Sequence, residues 1–142
     1  MKSTEAKIDR VLIGRIMPGE DVTEALTNLV KEKGIKSGLI NIIGALNKFT
    51  VGYFDLETHE YNLKTYEENV ELVSCMGNIA WKNGEPIIHL HFIVAREDYS
   101  LMGGHLGQPS IISVTGEVYI YETEEKIQRV NDPAFDLSLL DL

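Results

Sequence analysis

The sequence predicts an α+β protein: a mostly antiparallel β-sheet with one main helix. Three observations lead there. Short β-type runs follow one another through most of the chain, one segment alone carries a well-capped helical repeat, and no regular strand–helix alternation suggests a doubly wound parallel sheet. A Rossmann arrangement is also excluded, because no strand-like run is followed by closely spaced glycines opening a helix.

Residues 6–15, AKIDRVLIGR, concentrate apolar side chains at Ile8, Val11, Leu12 and Ile13, and the β-branched residues among them favour a first strand. Pro18 and Gly19 then break the chain. Asp21 stands at an N-cap position with Glu24 three residues on, and Val22, Ala25, Leu26, Leu29 and Val30 recur at helical spacing. Lys31 and Lys33 occupy the last turn and Gly34 ends the helix.

After Gly38 the pattern becomes LINII, then KFTVGYFD, then EYNLKTYEE, with a hairpin turn expected at Glu57 to His59. Residues 69–81 form a long strand candidate. The Asn83-Gly84 pair marks a tight hairpin into PIIHLHFIVA at 86–95. A glycine-rich loop is expected at Gly103 and Gly104, a last strand at 111–121, and an acidic tail after it. The expectation is a single domain over 1–142, with a core at about 5–122 and a C-terminal tail at 123–142.

Composition narrows the function. With 22 acidic against 13 basic residues the formal net charge is -9, which opposes phosphate backbones and anionic membrane surfaces. No apolar run approaches the roughly 20 residues of a membrane-spanning helix, and the N-terminus, MKSTEAKIDR, lacks the pattern of a secretory signal. Cys75 has no partner for a disulfide, so a reducing, cytoplasmic setting is expected.

Three of the four histidines cluster: His89 and His91 in PIIHLHFIVA, and His105 in MGGHLG. Strand side chains alternate faces, so Ile87, His89, His91 and Ile93 share one side while Ile88, Leu90, Phe92 and Val94 share the other. Same-face Cα atoms lie roughly 7 Å apart, close enough for two imidazoles to meet on one ion at bonds of about 2.0–2.1 Å. Three neutral imidazoles leave a fourth position open, as in catalytic or exchangeable zinc sites. The other reading makes these histidines polar residues of a less buried strand face and a loop.

Secondary candidates are fewer. Glu71, placed on one face with Val73 and Cys75, is either an edge-exposed glutamate or a general base or extra ligand. Glu117 is read as solvated or at a subunit contact. His59 belongs to a polar turn, and Cys75, with no basic neighbour in sequence, to the core.

The order HLH, GGHLG and GEVYIY, preceded by VELVSCMGNI, resembles the PPC domain, the plant and prokaryote conserved domain, from the first strand to Tyr121. The resemblance implies a curved antiparallel sheet with a helix, a homotrimer, and a metal, zinc first among divalent ions, on His89, His91 and His105. It also implies a fold similar to α-acetolactate decarboxylase, a zinc enzyme with a His-x-His pair and a later histidine. Arg96 and Glu71 are the only candidates for that enzyme's further arginine and glutamate. The functional expectation is therefore metal binding with small-molecule capture or Lewis-acid catalysis. The alternative is a DNA-associated regulator, as the family's DNA-binding label implies. The AT-hook that grips the minor groove in plant members is missing from this sequence.

Overall fold

A computed structural model describes residues 1–142. The first apolar run forms β1 (Ile8–Ile16), and the capped repeat forms α1 (Val22–Lys33). Asp21 caps this helix by accepting a hydrogen bond from the Glu24 amide at 3.0 Å. Gly34 closes it in the left-handed conformation, φ 64°. Val22, Leu26 and Val30 of α1 are fully enclosed. At 12 residues α1 is far too short to cross a bilayer, and no helix here is long and apolar enough to do so.

The two runs expected at 39–43 and 48–55 are one 19-residue strand, β2 (Ser37–Asp55). It continues because its partners change along its length: its first half pairs with one strand and its second half with another. Those partners are β3 (Glu60–Tyr66), reached through the expected turn at 56–59, and β4 (Val70–Lys82). Asn83 and Gly84, with φ 52° and 85°, then make the tight turn into β5 (Glu85–Ala95). The remaining strands are β6 (Leu101–Thr123), β7 (Arg129–Asp132) and β8 (Leu137–Leu140).

The main sheet runs β1-β6-β5-β4-β2-β3, and β6 also pairs with β2. Antiparallel pairings of β2 with β4, β4 with β5, β5 with β6 and β6 with β2 thus close a ring, which only a strongly curved sheet permits. Its inner face and the apolar stripe of α1 make one core, including Ile40, Ile42, Phe49, Leu72, Leu90, Phe92 and Ile120. Each such side chain contributes roughly 1.5–3 kcal/mol by leaving water.

Three further expectations change. The glycine-rich loop is absent: Gly103, Gly104 and His105 lie inside β6, which extends ten residues further toward the N-terminus than the strand read at 111–121. The glycines serve close strand contact. A Cβ on Gly103 would stand 2.2 Å from the Phe92 carbonyl oxygen, and one on Gly104 would stand 2.7 Å from that of Gly52. The tail is ordered too, since β7 and β8 pair as a small antiparallel sheet over 129–140. Finally, an irregularity between Leu72 and Ser74 of β4 breaks the alternation, so Cys75 is buried while Glu71 and Val73 are exposed.

Candidate metal centre

His89 and His91 project from the face of β5 opposite the buried Leu90 and Phe92. His105 reaches the same spot from β6, where it is the direct cross-strand partner of His91. Directly opposed residues bring their side chains within contact range, so the third imidazole is placed by strand register. The ring centroids lie 5.1 Å apart for His89–His91, 5.2 Å for His89–His105 and 5.5 Å for His91–His105.

One nitrogen of each ring lies within 4.8 Å of the other two. Around a tetrahedral ion with bonds near 2.05 Å, ligand nitrogens stand about 3.4 Å apart, so small side-chain rotations close the remaining gap. The donor chemistry also fits. Burial, then the Arg129 charge, then the neighbouring imidazoles His105 and His91 pull the His89 pKa down to about 4. Burial, then His91, lowers that of His105. Both rings are therefore neutral near pH 7, the form in which imidazole binds a metal. Nδ1 of His105 is buried without a hydrogen-bond partner, a lone ring nitrogen facing no competing donor.

Two neighbours were not singled out in the sequence. Tyr61 of β3 lies over His105 with ring centroids 4.5 Å apart. Arg129 of β7, only 6% exposed, sets Nη2 3.3 Å from Nδ1 of His89 and donates from the same nitrogen to Asn78 Oδ1 at 2.7 Å. Its Nη1 donates to the Ser138 carbonyl at 2.6 Å, fastening the side chain to the β7–β8 hairpin. No local motif marks Arg129; its only sequence signal is a basic residue in an acidic stretch.

The secondary candidates stand elsewhere. Glu71 pairs with Ala95 at the far end of β5, and on β4 it is Asn78 that lies opposite His89. Arg96 is occupied by Glu68, with a contact at 2.9 Å, and by the Tyr66 ring. His59 is exposed at its turn, and Glu117 is exposed on β6. Burial pushes the Cys75 thiol up to about 12, which makes it an inert core group.

The profile of the Plants and Prokaryotes Conserved (PCC) domain matches residues 3–124. The chain belongs to this family. Among solved PCC-like structures, a metal-containing protein from Archaeoglobus fulgidus is 29% identical, with a TM-score of 0.91 over 100% of both chains. A plant- and prokaryote-conserved protein from Pyrococcus horikoshii is 31% identical, with a TM-score of 0.91 over 100% of this chain and 98% of that one. A candidate DNA-binding protein from Bacteroides thetaiotaomicron is 36% identical, with a TM-score of 0.89 over 96% of each. The α-acetolactate decarboxylase of Bacillus subtilis shares the fold at 18% identity, with a TM-score of 0.60 over 98% of this chain and 63% of its own. The PCC chain also matches the bifunctional protein GlmU of Synechococcus, at 28% identity over 127 residues, and spans 19% of that protein's length.

Proposed function

We propose that this PCC-domain protein binds a divalent metal, zinc first, through His89, His91 and His105, with one coordination position left open. The observation that carries the reading is the convergence of three imidazole nitrogens within 4.8 Å of one another. The metal-containing description of the Archaeoglobus fulgidus protein supports it. When bound, the ion would supply Lewis acidity to an oxygen-bearing small molecule in the open position. The chain's own residues hold His89 and His105 neutral and wall the site with Tyr61 and the β7–β8 hairpin. Metal analysis of the purified protein tests this: about one equivalent is expected in the parent and none in a His89→Ala/His91→Ala variant. A metal-free parent that takes up no added zinc would end the proposal.

The working unit in this reading is a cytoplasmic homotrimer. Outward-facing Ile43, Val73, Met76, Ile93, Leu101 and Val114 expose 45–67% of their surface, an apolar set that association would cover. Light scattering in solution should give three times the 15.9 kDa chain mass. The DNA-associated alternative draws on the description of the Bacteroides thetaiotaomicron protein. The charge of -9 weighs against it, and it requires duplex retardation at low salt.

A further inference from the structure

We infer that Arg129, carried by the C-terminal hairpin, makes the three-histidine centre a coupled site in which the metal binds together with a small carboxylate. This deepens the metal-binding reading and rests on it. The starting point is charge. Three neutral imidazoles bring no negative charge to a divalent ion, and no carboxylate lines the adjoining cavity. The guanidinium, meanwhile, stays protonated at any ordinary pH and touches a ligand ring, Nη2 to His89 Nδ1 at 3.3 Å. An ion held by these rings thus has a fixed positive charge one imidazole away, and like charges at that range repel. An anion seated between them turns that repulsion into two attractions.

The shape of the site favours a carboxylate as that anion. A cavity of about 250 Å³ is lined by His89 and His105 on the sheet, by Arg129, Leu137 and Leu139 of the hairpin, and by Tyr61 and Ile87. This suits a small acid whose charged head meets the guanidinium and whose short hydrocarbon part lies on apolar side chains. The guanidinium is not saturated: its Nε is buried and without an acceptor. The side chain is rigidly presented by its bonds to Asn78 and Ser138, and Lys82 Nζ holds the Ser138 hydroxyl at 2.5 Å. The hairpin lies beyond residues 3–124, the segment that the family profile matches.

Calorimetric titration of the full-length, metal-free protein with zinc, with and without propionate, tests the coupling. Propionate should tighten zinc binding by about tenfold, within the usual range for coupled sites, while propionamide, its neutral counterpart, should leave it unchanged. Arg129→Gln should bind zinc alone more tightly than the parent and lose the propionate effect, whereas Arg129→Lys should keep part of it. Unaltered circular dichroism certifies the fold of each variant. Zinc affinity that ignores propionate in the parent, or a propionate effect that survives in Arg129→Gln, overturns the inference while leaving the metal centre standing. So does coupling to sulfate without coupling to propionate. Absence of zinc binding under every condition removes the metal reading itself, and the coupled site with it.

Discussion

Arg129 and His89, 40 residues apart in the chain, meet with Nη2 3.3 Å from Nδ1, so the last hairpin and the central strand share one polar site. The contact sets a cation against a ring that must stay neutral to bind metal, and it helps to keep that ring neutral.

Ligand binding to the folded state alone raises stability by RT ln(1 + [L]/Kd), about 2.7 kcal/mol at a hundredfold excess over Kd. Adding zinc to metal-free protein should therefore raise the melting temperature by several degrees in a scanning calorimeter. A chelator should reverse the rise, and His105→Ala should abolish it.

The lowered pKa values of His89 and His105 fix the sign of an acid effect in the metal-free protein. Between the ordinary histidine value of 6.5 and about 4, the unfolded chain binds a proton that folded His89 refuses. Stability is thus full above pH 6.5, falls as pH drops through that window, and levels for this group below about 4. His105 acts in the same direction. Urea unfolding from pH 7.5 to 4.5 should show the decline, and His89→Gln should flatten it between pH 6.5 and 5. Parallel curves for the two proteins would contradict this.

A Cβ at Gly77 would lie 1.8 Å from the carbonyl oxygen of His89. Gly77→Ala forces β4 away from β5 at the residue that carries a proposed ligand, so a loss of about 3 kcal/mol is expected from disrupted packing. Zinc affinity should fall in parallel. Gly14→Ala, where a Cβ meets nothing within 4 Å, is the control and should change neither.

Glu122 is 1% exposed and accepts from Arg10 Nε at 2.6 Å and from the Lys36 amide at 2.9 Å, tying β1 and the start of β2 to β6. Glu122→Ala leaves the Lys36 amide without its acceptor and opens a cavity. About 3 kcal/mol should be lost in denaturant unfolding. Zinc uptake should be unaffected, since no residue of the metal centre touches this pair.

The sequence by itself determined the features that depend on a few adjacent residues. Asp21, Glu24 and Gly34 bound the helix, Asn83-Gly84 forces a tight turn, and the two-residue period puts His89 and His91 on one face. The tertiary structure alone decided which distant groups join them. His105 arrives by its register against His91, made possible by glycines that let strands touch, and Arg129 arrives on a hairpin that the sequence offered as a tail. Glu71 parts from Cys75 because one irregular pairing near Ser74 reverses the alternation. Caps, turns and side-chain alternation are short-range steric and hydrogen-bonding effects. Register, bulges and the folding-back of a terminal hairpin depend on packing and hydrogen bonding summed over the whole closed sheet.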